Sequence, residues 1–227
     1  MSVYSSPPRG ADTPSAVADK IRKDCTLLTS AITRGELGKR IAEIALLYSP
    51  GDIQQMKRNF GEKLRNITPE YRRQLEMKIT GHLPGVWQTI RLMHRQGSFS
   101  PMNDSLPGEV KTYRDMVAGQ CSAGEGGEEI RLRFLKFLIA GFSMFVQHEP
   151  GHPAGTPFPG GDTVQYTNGI YYCPVREKAD DWMQPCALLC PALQTPEIMN
   201  LKPPTNPSEH RKQEFIRQCH DFHNFNG

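Results

Sequence analysis

Three cysteines in the C-terminal third of the chain, with two histidines shortly before them, could together hold a metal ion. Cys173, Cys186 and Cys190 lie within eighteen residues, and His148 and His152 precede them. Thiolate and imidazole groups are the usual protein ligands of zinc, which takes four of them in tetrahedral structural sites. We therefore predict a zinc site made by the three cysteines, with His152 as the fourth ligand.

Other side chains could replace His152 or support the site from just outside it. Four have suitable chemistry: His148, Glu149, Cys219 and His220. The first two lie four and three residues before His152, whereas the last two would reach the site only if the C-terminal segment folds back. These four are the predicted alternative or supporting ligands.

The cysteines also allow other interpretations. An iron–sulfur cluster would need a fourth thiolate, which Cys219, Cys121 or Cys25 could supply, but all three are distant in sequence. Zinc is therefore preferred, and the cluster is the alternative cofactor. The three cysteines could instead be separate buried thiols, because reduced cysteine packs well in a core, or they could form a redox-active disulfide.

The string His148-Glu149-Pro150-Gly151-His152 formally fits the H-E-x-x-H pattern of zinc proteases. That pattern works only on a helix, where both histidines share one face. Pro150 and Gly151 oppose a helix at this point. The sequence instead predicts that a helix ends near His148 and that His152 lies in a turn.

Three elements must position these residues. Apolar side chains crowd residues 128–147, which predicts a long buried helix leading directly into His148. Residues 156–161 predict a stiff loop that packs Phe158 and closes with a Gly-Gly turn. Residues 164–172 predict a β-hairpin, because Asn168-Gly169 favours the positive φ angles of a type I′ turn.

The rest of the chain predicts further helices. Apolar residues recur at helical spacing over 16–34, 37–48 and 53–64. A fourth helix starts at Thr68-Pro69, with a break or kink at Pro84-Gly85. Shorter helices are predicted at about 108–118 and 208–222.

The predicted fold is mostly α: a bundle of about six or seven helices with a small irregular lobe near the C-terminus. The lobe is rich in Cys, Pro and Gly and contains the β-hairpin. The predicted organisation is a loose arm over 1–15, the helical bundle over 16–147, the lobe over 148–191, and a linker with a C-terminal helix over 192–227.

Composition limits the possible functions. The chain has 227 residues and a net charge of +3, too balanced for the concentrated basic surface of a typical nucleic-acid binder. No apolar stretch is long enough to cross a membrane, and no signal peptide is apparent. We therefore expect a cytoplasmic protein, in which clustered cysteines favour metal or redox chemistry over structural disulfides.

Part of the lobe resembles a known family. The strings HPxGTPFPGG at 152–161 and NGxYYCPV at 168–175, followed by C-x3-C at 186–190, resemble an archaeal family best known from methanogens, domain of unknown function 2115. The specific match covers about residues 148–191. The family has no established activity, so the resemblance implies archaeal relatives and no mechanism.

Three functions follow from these observations as hypotheses. The first is a metal-binding protein, with zinc as the metal, that acts as an accessory or assembly factor and has a protein partner. The second is an enzyme that uses a zinc-bound water or a reactive cysteine in a pocket beside the lobe. The third is a metal-free structural or interaction domain. A closed four-ligand site would favour the first, and an open coordination position would favour the second.

Overall fold

The computed structural model describes residues 13–65, 67–122, 126–158 and 161–174, and the backbone of the short strand 193–194. Six α-helices make up most of the described residues. They are α1 (Pro14–Thr29), α2 (Arg34–Ala45), α3 (Pro50–Lys63), α4 (Pro69–Gln96), α5 (Glu109–Gln120) and α6 (Gly127–Phe142). The predicted mostly α fold is confirmed. The predicted N-terminal arm lies almost wholly outside the described residues, and the predicted helix 208–222 lies entirely outside them.

The helices begin where the sequence places capping side chains. Thr33 accepts a hydrogen bond from the Glu36 backbone N–H at the start of α2. Ser49 and Asp52 form a reciprocal capping box at the start of α3. These side chains satisfy backbone donors that the first helical turn leaves open.

Of the break or kink predicted at Pro84-Gly85, the break is wrong, because α4 runs unbroken through Pro84 for 28 residues. A proline inside a helix removes one backbone hydrogen bond, at a cost of about 3 kcal/mol. The packing of Trp87, three residues after the proline, compensates for this loss of helix stability. Trp87 is buried, and its indole N–H donates to the Ala45 carbonyl at the end of α2, 3.1 Å away.

The main hydrophobic core is built around α6. Every residue of α6 from Ile130 to Phe142 is buried except Lys136 and Ala140, and α1, α2, α3, α4 and α5 all contact this helix. Phe158, Val164 and Cys173, which follow the helices in the chain, belong to the same core. A smaller cluster of Leu64, Ile67, Leu75 and Ile79 joins α3 to α4.

The chain leaves α6 through a single π-helical turn, Ser143–Gln147. A π-helix holds more residues per turn than an α-helix and usually occurs as one such turn. The turn is buried from Ser143 to Val146. It therefore carries the core directly to the start of the lobe.

Three short strands form the only sheet in the described residues, in the order β1-β2-β3. Strands β1 (Gln165–Thr167) and β2 (Ile170–Tyr172) form the predicted antiparallel hairpin. Asn168 and Gly169 have φ angles of 53° and 83°, which confirms the predicted turn with positive φ at both positions. Strand β3 (Leu193–Gln194) pairs in parallel with β2 and was not predicted.

Candidate functional site

The lobe begins at a helix end, as predicted. His148 adopts a left-handed conformation with φ 58°, and the Glu149 backbone N–H donates to the Ser143 carbonyl at 2.9 Å. His148 and His152 therefore do not share a helical face. The H-E-x-x-H string lacks the helix that a zinc protease needs.

Arg34, at the first position of α2, secures this helix end. Its guanidinium donates to the Val146 carbonyl at 3.2 Å and forms an ion pair of 2.7 Å with Asp104. Burial alone would raise the pKa of Asp104, but Arg34 and the nearby His148 lower it. Sequence analysis missed Arg34 and Asp104, because single charged residues far apart in sequence give no local signal of contact.

The described residues on either side of the predicted loop, 155–158 and 161–164, are joined by backbone hydrogen bonds. The Gly155 N–H donates to the Val164 carbonyl at 2.7 Å, and the Val164 N–H donates to the Thr156 carbonyl at 3.0 Å. The Phe158 N–H donates to the Asp162 carbonyl at 2.7 Å, and Phe158 itself is buried. The predicted packing of Phe158 is confirmed, and the predicted Gly-Gly turn at 160–161 lies partly outside the described residues. Because these amides are already used within the loop, they are not available to cradle a phosphate.

Helix α4 holds the loop from one side. The Tyr71 hydroxyl donates to the Pro157 carbonyl at 3.0 Å, and the Lys78 ammonium lies 3.5 Å from the Ala154 carbonyl. Gly155 suits this position because its φ angle of 80° is a left-handed conformation that favours glycine. The first part of the lobe is therefore fixed by docking on the helices.

The described ligand candidates lie at different depths. Cys173 is buried at 3% exposure, immediately after β2. His152 is partly exposed, and its ring lies edge-on to Phe158 with 6.2 Å between ring centroids. His148 is exposed, and Glu149 is close enough to Tyr171 to raise the pKa of that phenol, in addition to the larger effect of burial.

Within the described residues, no three His, Cys, Asp or Glu side chains are grouped in a way that could hold a metal ion. The remaining predicted ligands, Cys186, Cys190, Cys219 and His220, lie outside the described residues. The predicted zinc and iron–sulfur sites therefore stay predictions.

Strand β3 constrains how the cysteines could meet. Tyr171 pairs with Leu193 in parallel register. Cys173 lies two residues after this pair, and Cys190 lies three residues before it. Three residues can span at most about 11 Å between Cα atoms. A site shared by Cys173 and Cys190 thus requires the chain just before Leu193 to turn toward the Cys173 end of β2.

Comparison with known proteins gives the family. The family described as "Uncharacterized protein conserved in archaea (DUF2115)" matches residues 33–195, well over half of the chain. The chain belongs to this family. The resemblance seen in the lobe is thereby confirmed, and the DUF2115 match extends from the start of α2 to just beyond β3, leaving α1 outside it.

Individual UPF0305 proteins from methanogens are similar to this chain over shorter segments. A UPF0305 protein of Methanopyrus kandleri is 43% identical over 63 residues, which are 28% of this chain and 44% of that protein. A UPF0305 protein of Methanothermobacter thermautotrophicus is 39% identical over 69 residues, 30% of this chain and 44% of that protein. The chain thus spans less than half the length of these relatives. No solved structure matches it.

Proposed function

We propose that this protein binds one zinc ion in its lobe, through Cys173, Cys186, Cys190 and His152, and serves as an accessory or assembly factor. The observation that supports a shared site is the pairing of β3 with β2. This pairing places Leu193, three residues after Cys190, beside β2, the strand that ends directly before Cys173. Two separated cysteine-bearing segments joined at one small sheet resemble the ligand supply of zinc ribbons.

Zinc would also explain how so small a sheet is held together. Each strand has two or three residues, and short hairpins alone are marginally stable in water. Docking on α4 fixes the first part of the lobe, but strand β3 is joined to the sheet only through β2. A metal tie between Cys173, directly after β2, and Cys190, three residues before β3, would add to the stability of this sheet.

His152 is the preferred fourth ligand, because Pro153 restricts its backbone and its imidazole is partly exposed. His148 already ends the helix beside Asp104, so we assign it a supporting position. In His152→Ala, the zinc content should fall, and in His148→Ala it should stay unchanged. Unchanged zinc in His152→Ala with loss in His220→Ala would move the ligand role to the C-terminal segment.

Metal analysis of protein purified without oxygen tests the proposal directly. We expect one zinc per chain in the natural protein and loss of zinc in Cys173→Ser, Cys186→Ser and Cys190→Ser. Cys25→Ser and Cys121→Ser are matched controls, because burial raises the pKa of both thiols to about 12 and keeps them neutral. Absence of stoichiometric metal, or its retention in all three lobe variants, would refute the proposal.

Cobalt substitution separates a structural site from a catalytic one. A closed site with three thiolates and one imidazole should give a tetrahedral cobalt spectrum that added cyanide or azide leaves unchanged. A spectrum that shifts with these anions would show an open position, and would favour the enzyme hypothesis over the accessory role.

A further inference from the structure

The longest helix, α4, has one face that the described part of the chain leaves open to solvent. Five exposed residues follow one another on it at spacings of three or four: Met77, Gly81, Gly85, Gln88 and Leu92. Residues at these spacings lie on the same side of a helix, and these five define the α4 face. Two of the four exposed large apolar side chains in the described residues, Met77 at 63% and Leu92 at 52%, lie on it.

The middle of the α4 face is a shallow depression. Gly81 and Gly85 have no side chain, and a Cβ atom built on either would meet nothing within 4 Å in the described chain. Glycine is among the poorest helix formers, and no contact within the described chain requires it at these two positions. Met77 and Leu92 lie at the two ends of the depression, about 22 Å apart along the helix axis. This shape admits a bulky apolar side chain between them.

Positive charge borders the depression. Five charged side chains of α4 are exposed, and four of them are basic: Glu70, Arg73, Lys78, Arg91 and Arg95. Glu70 forms an ion pair of 3.0 Å with Arg73. Arg73 lies four residues before Met77, and both are exposed. Arg95 lies three residues after Leu92. Each apolar end of the depression therefore adjoins an arginine, which favours an occupant with negative charge.

Charge and shape argue against three other occupants. Two copies of α4 packed antiparallel about Pro84 would set Arg73 of one copy against Arg95 of the other, and opposed like charges disfavour association. Residues 195–227 of the chain itself carry equal numbers of acidic and basic side chains, so they have no net charge to match. A helix that lies on a membrane needs a continuous apolar face, which the two glycines interrupt.

We infer that the α4 face binds an acidic amphipathic helix of a partner protein. One bulky apolar side chain of that helix fills the depression, and its Asp or Glu side chains meet Arg73, Arg91 and Arg95. Packed helices approach to about 8 Å between axes where the side chains at the contact are small, as they are at Gly81 and Gly85. The inference rests on the accessory role proposed above and names the kind of partner that this role needs.

A designed peptide tests the inference on the full chain. The probe is a fluorescent helical peptide with leucine along one face and glutamate on both sides of that face. Its control has lysine in place of every glutamate. In fluorescence anisotropy we expect the glutamate peptide to bind, more weakly as salt is added, and the lysine peptide not to bind. Equal binding of the two peptides, or no binding of the glutamate peptide, would overturn the inference.

Substitutions on α4 separate a shaped site from nonspecific apolar binding. The double variant Met77→Gln, Leu92→Gln should weaken peptide binding at least about tenfold. Ile32→Gln is the matched control, because Ile32 is the most exposed large apolar side chain described and lies outside α4. Gly81→Leu fills the depression, so it should weaken binding as much without lowering the melting temperature. Stronger binding in Gly81→Leu would overturn the inference.

Three further outcomes would assign the α4 face to another occupant and would also overturn the inference. They are dimerisation in analytical ultracentrifugation that Leu92→Gln abolishes, a disulfide within one chain between Gln88→Cys and Cys219, and binding to phosphatidylglycerol vesicles that Arg91→Gln abolishes. Failure of the zinc proposal is distinguishable, because Cys186→Ser should lose zinc and keep peptide binding. A chain that holds zinc but does not bind the glutamate peptide would refute this inference alone.

Discussion

The pKa values of Asp24 and Asp52 are shifted in opposite directions. Loss of water around Asp24 raises the pKa of its carboxyl group, and Lys20 opposes this only in part. Burial also acts to raise the pKa of Asp52, but hydrogen bonds from Arg131 and Ser49 outweigh it and lower the pKa. The two carboxylates should therefore contribute to stability with opposite dependence on pH.

The folded state takes up a proton at Asp24 at higher pH than the unfolded chain does. Ionised Asp24 therefore destabilises the fold at neutral pH, and this penalty disappears as pH falls through the raised pKa. We expect Asp24→Asn to be more favourable, relative to the natural protein, at pH 7 than at pH 4. Urea denaturation at both values measures this, with exposed Asp19→Asn as the control on the same helix.

The contribution of Asp52 to stability should depend on pH in the opposite way. Its ionised form is stabilised in the fold, so its contribution is complete above the ordinary pKa and is lost as pH falls through the lowered one. Asp52→Asn should cost about 2 kcal/mol at neutral pH, typical of a hydrogen bond to a charged group, and less in acid. A cost independent of pH would contradict the Arg131 pairing as its cause.

Some of these residues could be predicted from sequence and others could not. Clustered cysteines and histidines give a local signal, as do Asn168-Gly169 and Phe158. Buried charges such as Arg131 do not, because a single arginine at helical spacing is normally solvent-exposed. The only available signal was that Arg131 and Arg133 interrupt the most apolar helix of the chain.

At the scale of elements, α2 depends on glycine for its contact with the segment after α4. A Cβ atom on Gly38 would lie 2.8 Å from the ring of Phe99, which is buried and packs edge-on against Phe142. Gly81, on α4, faces open space instead. Gly38 is therefore needed for close packing of α2 against Phe99, whereas no such contact requires glycine at Gly81.

We expect Gly38→Ala to destabilise the protein by about 1–3 kcal/mol through overpacking. Gly81→Ala should stabilise it by about 1 kcal/mol, because alanine is the better helix former. Thermal or urea denaturation of the two variants provides the measurement. Equal stabilisation by both would show that α2 and the Phe99 segment are not in close contact.

Most helices were predictable because capping residues and apolar spacing are local properties. The predicted break in α4 failed because the burial of Trp87, a tertiary effect, outweighs the local cost of Pro84. Strand β3 could not be predicted, since two residues carry no periodic pattern and their partner lies about twenty positions earlier in the chain.

At the scale of the whole molecule, the proposed zinc site predicts that the helices and the lobe respond differently to metal removal. Zinc binding could contribute on the order of 10 kcal/mol, linked to local folding, whereas the helical core has its own apolar contacts. A strong chelator, or Cys186→Ser, should therefore leave most helical circular dichroism unchanged.

The same treatment should create new protease sites between about residues 155 and 192. We expect them mainly after Pro174, because Phe158, Val164 and Cys173 pack in the main core. Cys25→Ser is the control for a cysteine outside the lobe. Equal protease resistance with and without chelator, in protein shown to contain metal, would exclude a structural role for the ion.

The π-helical turn at Ser143–Gln147 holds one residue more than an α-helix needs for the same rotation. Each α-helical residue turns the chain by about 100° around the helix axis. A π-helical residue turns the chain by less, so the five residues of this turn rotate it about as far as four α-helical residues would. Deleting one residue here should therefore restore ordinary α-helical spacing and leave the loop facing Tyr71. Hydrogen exchange at Gly155 and Val164 should stay slow in that deletion, and faster exchange would show that the turn sets the direction of the lobe. The turn thus takes up one additional residue without redirecting the chain that follows it.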